Sequence, residues 1–332
     1  MPDAWTMLAL PPLDTELLLA LFADVPVEVI VPTDRSHQAV CAAAASAEIV
    51  LGDWTGAIEI SAQLVAAAPR LAFVQQPSVG IDSVDVEACT AAGVPVANAG
   101  GVNAVSVAEW CVAATFASLR WLLFADQEVR AGRWPQLELP QRGGGELAGR
   151  RVGIVGMGRI GRECAQRFAA LGCDVAHWSR SRRDAPEAGG APWLPLDDLL
   201  RRSDVLVVVI ARAAETRDLL AAEQLALLPP GAFVINAARG GIVSEDALLA
   251  AIKAGALAGG ALDVYATEPL PMDSALRDED RLLLSPHAAA GTREAQGRLI
   301  AGIIDNVRRA VTGQPVVDVV NGLDGLIQRR EG

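Results

Sequence analysis

The chain has little cysteine and no pattern in what it has: Cys41, Cys89, Cys111, Cys164 and Cys173 are scattered singly through 332 positions. With no C-x-x-C pair and an odd total, neither a disulfide framework nor a cysteine zinc site is expected, and reduced thiols in the cytoplasm fit the spacing. Excess positive charge is missing too, the formal net charge being −12. Nucleic acid and anionic membrane surfaces need a broad basic face that displaces counterions, so neither is expected as a partner. No apolar run reaches the roughly 18 residues of a membrane span, and the opening "MPDAWTMLALPPLD" has no basic segment leading into a long apolar one. There is no tandem repeat and no low-complexity tail. The expectation is a soluble cytoplasmic protein.

What is present is ordinary globular composition, 52% hydrophobic and 20% charged, at a length that usually divides into two domains. Short apolar runs bounded by turn residues alternate with longer helical patterns. An early series is "WTMLAL", "VEVIVP", "AEIVLGD" and "LAFVQQ"; a later one is "RVGIVG", "DVLVVVI", "AFVINAA", "GALDVY" and "RLLLSP". That rhythm predicts an α/β protein with parallel sheets covered by helices on both faces. Between the series, residues 104–124 are apolar on nearly every side, which predicts one helix buried all round, either inside a core or against a second copy of the chain. Residues 130–150, rich in glycine, proline and polar groups, read as a surface excursion.

"VGIVGMGRIG" joins an apolar run to a G-x-G-x-x-G formed by Gly156, Gly158 and Gly161. A helix follows, with Ile160, Cys164, Phe168 and Leu171 recurring every three or four residues, and then a second strand, "CDVAHW". Glycines at these positions permit a tight turn and close approach of backbone to a pyrophosphate, while the helix start supplies unpaired amides. The residue that reads the adenosine ribose is expected about twenty positions on, and an acid there selects NAD. Ser179, at the end of "HWS", is not an acid, and Arg180, Arg182 and Arg183 follow it. Serine and guanidinium donors suit a 2′-phosphate, which makes NADP(H) the expected cofactor with NAD(H) possible. A plain solvated loop is the other reading, since three arginines cannot all reach one phosphate.

Three later strands end in chemically able residues: Arg239 in "VINAARGG", Asp263 and then Glu268 in "ALDVYATEP", and His287 in "LLLSPHAAAGT". In open parallel sheets ligands gather outside the carboxyl ends of the strands, so these side chains and the glycine loop are expected to meet in one crevice. His177 is expected to flank the adenosine side and His37 to lie on the surface.

Taken in order, "QPSVGIDSVD", "GGVNAVSVAEW", "GMGRIG", "NAARG", "DVYATEP" and "SPHAAAGT" resemble the D-isomer-specific 2-hydroxyacid dehydrogenases, over about residues 48–320. The serine and arginines after the second strand are most similar to the NADPH-preferring glyoxylate and hydroxypyruvate reductases among them. The resemblance implies a Rossmann coenzyme domain, 101–288, inserted in a flavodoxin-like substrate domain, 1–100 plus 289–332, with a hinge between them, and a homodimer formed through the 104–124 helix.

It also implies roles. His287 would be the general acid and base at the substrate oxygen, as the ordinary pKa of imidazole permits. Glu268 would orient His287 and favour its charged form, and Arg239 would hold the substrate carboxylate. Ser78, Val79 and Gly80 would meet that carboxylate through backbone amides. Gly156, Gly158, Arg159, Ile160, Ser179, Arg180, Arg182, Ile210, Asp263 and Ala290 would contact the cofactor, Asp263 near the nicotinamide unless it caps the next turn. Asn103 and Glu109 match positions read as structural; Trp54 is either part of the substrate side-chain pocket or an ordinary packed residue. Two departures stand out: "ARAAET", 211–216, replaces a more proline-rich turn, and Ala290 stands where glycine is expected.

Within the same superfamily, a phosphoglycerate dehydrogenase would need cations for its substrate's phosphate, and "LGDWTGAIEI" has none; a regulatory domain is not expected either. A formate dehydrogenase would carry glutamine in place of Glu268. A nicotinamide-sensing binding protein of the same fold keeps all three site residues, so only turnover separates it from an enzyme.

Overall fold

The computed structural model describes residues 4–330; the outer ends of the expected substrate domain, 1–3 and 331–332, lie outside the described residues. The chain forms two compact units. One runs to Val102 and resumes at Arg293, and the other is Asn103–Thr292. The expected boundaries were 100/101 and 288/289.

The first unit alternates β1 (Trp5–Ala9), α1 (Thr15–Leu21), β2 (Val27–Ile30), α2 (His37–Ala44), β3 (Ile49–Leu51), α3 (Ala62–Ala67), β4 (Phe73–Gln75), α4 (Val86–Ala91) and β5 (Val96–Ala97). Its strands pair in parallel in the order β2-β1-β3-β4-β5, the flavodoxin-like order. Every residue of β3 and β4 is buried, as continuous apolar runs require in a sheet covered on both faces. Three helices begin where a side chain accepts a first-turn amide: Ser36 from Ala39, Ser61 from Leu64 and Asp85 from Ala88. These caps satisfy donors that the helix itself leaves unpaired.

The returning chain completes this unit. Helix α12 (Arg293–Val311), reached after the second unit, places Ile303, Val307 and Ala310 against Met7 and Phe73. Its buried Asn306 donates to the Gln75 side chain at 2.8 Å. Farther on, Arg329 and Arg70 each approach the fully buried Glu48 carboxylate at 3.0 Å, and the Thr6 amide donates to it. A carboxylate removed from water is tolerable only when paired and hydrogen-bonded in this way.

The second unit opens with α5 (Ala104–Leu119), α6 (Leu122–Arg130) and the short α7 (Glu138–Gln141). It continues with β6 (Arg151–Val155), α8 (Arg159–Ala170), β7 (Asp174–Trp178), α9 (Leu196–Arg202), β8 (Val205–Val208), α10 (Ala222–Leu225), β9 (Ala232–Asn236), α11 (Glu245–Lys253), β10 (Leu257–Leu262) and β11 (Leu282–Leu284). Its parallel sheet has the order β11-β10-β9-β8-β6-β7. Strand order reverses between β6 and β8, and in such folds ligands sit at that switch point.

One expectation is corrected. Residues 104–124 are not a single helix: Trp121 adopts a left-handed backbone (φ 52°), and α5 and α6 meet at 61°. Trp121 itself is buried and packs edge-on to Phe124, while the Arg142 guanidinium lies 3.7 Å from the Phe124 ring centre. Those contacts offset a conformation that a bulky residue rarely takes. Helix α5 is buried by the second unit's own core, through Val107, Ala108, Cys111 and Ala114 against Ile154, Cys164 and Phe168. Among the described residues no single helix is long and apolar enough to cross a membrane.

Candidate active site

The three glycines of the loop after β6 serve different masters. Gly156 has φ +105°, and a Cβ there would lie 2.7 Å from the Ile210 backbone. At Gly161 a Cβ would lie 2.1 Å from the Gly156 carbonyl oxygen. The protein itself thus forbids side chains at both. A Cβ on Gly158 would meet nothing within 4 Å, so no contact of the fold explains that glycine, and its bare backbone fits the close approach of a pyrophosphate. Gly158 also precedes α8 without a side-chain cap, and the first-turn amides, at Arg159 and Ile160, belong to a helix start of the kind that binds phosphate. Ile210 supports the loop through its backbone, and Ile160 packs into the core. These residues fit a dinucleotide.

The end of β7 departs in detail from the expectation. Ser179 is buried, and its hydroxyl donates to the Ser181 carbonyl at 2.7 Å. Its one proton is engaged within the chain, which leaves the oxygen only as an acceptor. Trp193 Nε1 donates to the Ser179 carbonyl at 3.2 Å and pins the turn. The arginines diverge: Arg180 pairs with Glu215 at 3.6 Å, and Arg182 lies over the Trp193 ring at 5.6 Å. His177, expected to flank the adenosine side, is fully buried, with Nδ1 3.1 Å from the Ala191 carbonyl. Burial pulls its pKa below the ordinary imidazole value, so it stays neutral.

At the other half of the sheet, the ends of the adjacent strands β9, β10 and β11 carry Arg239, Asp263 and His287. Buried Asn236 accepts the Ala238 amide at 3.1 Å and shapes the turn that presents Arg239, whose guanidinium also donates to the Ala238 carbonyl at 2.7 Å. The next residue, Gly240, abuts the following strand's end, since a Cβ there would fall 1.8 Å from the Tyr265 carbonyl oxygen. Arg239 is thereby held beside the 263–268 segment. Glu268 accepts the Tyr265 amide through Oε1 at 2.9 Å and faces His287 Nδ1 through Oε2 at 2.7 Å. With Nδ1 turned to a carboxylate, the neutral ring carries its proton there and Nε2 is the atom left for chemistry.

His287 has φ 53°, and the turn that enforces this is built on Asp263. Its Oδ1 accepts the Ala288 amide and its Oδ2 the Ala289 amide, both at 2.8 Å, and the Ser285 hydroxyl also donates to Oδ1. Asp263 is therefore the brace of the turn, the capping alternative of the sequence reading. Tyr265 adds a second brace, its hydroxyl shared at 3.0 Å between the carbonyls of Leu262 and Ser285. Burial, with Asp263 nearby, pushes its pKa up to about 12, so it remains a donor. Neither Tyr265 nor Ser285 was singled out from sequence; their only signal was position, one in "DVY" and one two residues before the histidine. Ala290 lies partly buried just beyond this turn.

In the first unit, the carbonyls of Ser78, Val79 and Gly80 are all engaged: by the Ala99 amide at 2.9 Å, the Asn98 side chain at 2.7 Å and the Ser78 hydroxyl at 2.6 Å. Gln76 ties this turn to the preceding loop by donating to Ser78 Oγ at 3.0 Å and the Asp53 carbonyl at 3.1 Å. Fully buried Asp53 binds Arg35 at 2.6 Å. No cation was visible in "LGDWTGAIEI" because Arg35 reaches that segment from the loop after β2. Trp54 beside it is 41% exposed, more than an ordinary core tryptophan. His37 is exposed, and Glu109 pairs with Arg167 at 3.5 Å.

A six-stranded parallel sheet with a glycine loop at its switch point defines a dinucleotide-binding α/β unit, here inserted in a flavodoxin-like one. Residues 112–289 match the family described as D-isomer specific 2-hydroxyacid dehydrogenase, NAD binding domain. The D-3-phosphoglycerate dehydrogenase of Mycobacterium tuberculosis (strain ATCC 25618 / H37Rv) is 41% identical over 272 residues, covering 82% of this chain and 51% of that protein. The glyoxylate reductase of Aeropyrum pernix is 38% identical over 267 residues, covering 79% of this chain and 80% of that protein. Among solved structures, a glyoxylate reductase from Paecilomyes thermophila matches with a TM-score of 0.86 at 25% identity, covering 96% of this chain and 99% of that one. The chain belongs to the D-isomer specific 2-hydroxyacid dehydrogenase family, and it spans about half the length of the phosphoglycerate dehydrogenases it matches.

Proposed function

We propose that the protein is an NADP(H)-dependent D-2-hydroxyacid dehydrogenase that reduces small 2-oxo acids such as glyoxylate and hydroxypyruvate. The observation that carries this reading is the 2.7 Å pairing of His287 Nδ1 with Glu268, in a turn braced by Asp263 beside the Arg239 turn. When bound, the nicotinamide supplies the hydride to the carbonyl carbon, or takes it back in the reverse direction. The amides at the start of α8, with Gly158 letting backbone come close, would hold the pyrophosphate. Arg239 would fix the substrate carboxylate with a permanently charged planar fork and polarise the neighbouring carbonyl. Protonated His287 would give its Nε2 proton to the carbonyl oxygen, completing the hydroxyl, and Glu268 would stabilise the imidazolium that starts the step. Asp263, Ala290 and Ile210 would shape the cofactor's surroundings.

The 2′-phosphate reading rests on a basic turn at the end of β7 with no acid at Ser179. A second reading, a larger substrate with an anionic side chain, is favoured by Arg35 at the 53–58 loop, although Asp53 matches its charge. A cytoplasmic homodimer with the exposed Leu122, Leu123 and Val129 of α6 near the interface completes the proposal. The test is the initial rate of NADPH and of NADH consumption with glyoxylate, hydroxypyruvate and phosphohydroxypyruvate. Fast turnover of either small acid with NADPH supports the reading; a preference for the phosphorylated acid favours the second; no consumption of either cofactor overturns both.

A further inference from the structure

We propose that Glu215 is a cofactor-discriminating residue that competes with a 2′-phosphate for Arg180. The inference rests on the NADP(H) reading and adds the residue that tempers it. In the sheet order β8-β6-β7, the glycine loop after β6 lies between the turn after β8 and the turn after β7. Glu215 stands in the segment after β8 and Arg180 in the turn after β7, the two strands that flank β6, and the two side chains pair at 3.6 Å; in such folds the adenosine half of a dinucleotide lies at the carboxyl ends of these strands, beside the glycine loop.

Both turns are anchored from inside. The buried Thr216 side chain accepts the Ala213 amide at 2.7 Å and reaches the Ala211 and Ala213 carbonyls at 3.1 Å, while Trp193 and the Ser179 hydroxyl fix the other turn. The charged ends are exposed by comparison, Arg180 at 54% and Glu215 at 73%. Of the three arginines in the β7 turn, Arg182 is committed to Trp193 and Arg183 lies close enough to His177 to oppose its protonation. Arg180 is the one that pairs with the segment after β8, through Glu215.

The electrostatics follow directly. With NAD(H) the ribose is neutral and the Arg180–Glu215 pair can persist. With NADP(H) a dianionic phosphate must take the guanidinium from a single carboxylate, which it can do as the more highly charged acceptor, while Glu215 repels it. Glu215 therefore lowers the affinity for NADP(H) selectively, and the departure at 211–216 that the sequence shows acquires a use.

The experiment is calorimetric titration of the whole protein with NADPH and with NADH, for the native chain, Glu215→Gln, Arg180→Gln and the double variant. Glu215→Gln is expected to tighten NADPH binding by about three- to five-fold, the upper part of the range of one exposed charge interaction, with NADH changed less than about two-fold. In the Arg180→Gln background most of the gain should be lost, leaving only what relief of direct Glu215–phosphate repulsion supplies, because coupled residues are non-additive. Equal effects of Glu215→Gln on both cofactors, or none on NADPH while Arg180→Gln weakens it, overturn the inference and leave the NADP(H) reading standing. If the native chain binds NADH as tightly as NADPH and Arg180→Gln affects both alike, the NADP(H) reading itself fails. Binding is read directly, so the result does not depend on the substrate.

Discussion

The backbone amide of His287 donates to the carbonyl oxygen of Asp263 at 2.8 Å, while the Asp263 carboxylate accepts the two amides that follow His287. Strand β10 thus dictates where the imidazole of the next turn stands. Three backbone amides converge on one buried residue, so the left-handed conformation of His287 is enforced by hydrogen bonds from a rigid strand end rather than by its own preference.

Replacing Asp263 by asparagine tests that dependence. One side-chain oxygen survives, but an amide nitrogen then faces the Ala289 or Ala288 amide, donor against donor. Stability should fall by about 1–3 kcal/mol, seen as a lower Tm, and kcat should fall by roughly a hundred-fold from the displaced imidazole. A variant with normal kcat and lowered Tm would reduce Asp263 to a purely structural residue.

Glu268→Gln removes the negative charge beside His287 and keeps the shape. The ring keeps a neutral hydrogen-bond partner at Nδ1 but loses the charge that stabilises the proton-donating form, so kcat should fall by about ten- to a hundred-fold with KM changed less. Steady-state kinetics in both directions check this, and an unchanged kcat would detach Glu268 from the proton transfer.

The loop glycines should separate by phenotype. Gly158→Ala places its methyl in open space, so Tm should hold while dinucleotide affinity drops by about ten-fold or more, a loss of roughly 1.4 kcal/mol. Gly161→Ala drives a methyl into the Gly156 carbonyl and should lower stability by about 1–3 kcal/mol. Melting curves and calorimetry with NADPH distinguish the two; equal melting and equal binding losses would mean that Gly158 has a packing role.

His177 gives a pH dependence of stability unrelated to activity. Its pKa is depressed in the folded chain by burial, so above the ordinary value of about 6.5 both states are neutral and nothing is lost. As pH falls below that value the unfolded chain takes up a proton that the folded one refuses, and stability declines until the folded pKa is passed. The slope is up to about 1.4 kcal/mol per pH unit. Urea midpoints at pH 7.5 and pH 5.5 should differ less in His177→Gln than in the native chain, even though the variant starts weaker.

Much of the architecture was legible because parallel strands covered on both faces read as unbroken apolar runs, as "IVL" and "VLVV" do here. The G-x-G-x-x-G was legible for a related reason: two of its glycines answer to short-range backbone sterics at Gly156 and Gly161. The break at Trp121 was not, since a tryptophan carries no local signal for a left-handed turn and the contacts with Phe124 and Arg142 come from elsewhere in the chain. The two-residue strand β5 is too short to show a pattern. Arg35 escaped notice because its partner Asp53 lies 18 positions away.

The sequence by itself determined an α/β protein with a dinucleotide loop, because local backbone geometry at glycines and strand ends is written in adjacent residues, and the order of its motifs carried the resemblance to the 2-hydroxyacid dehydrogenase family. Only the tertiary structure decided that the Ser179 proton is turned inward, that Asp263 braces a turn, and that Arg180 pairs with Glu215. Those outcomes depend on which strands lie side by side. Strand order is set by packing between segments far apart in the chain, and no stretch of neighbouring residues encodes it.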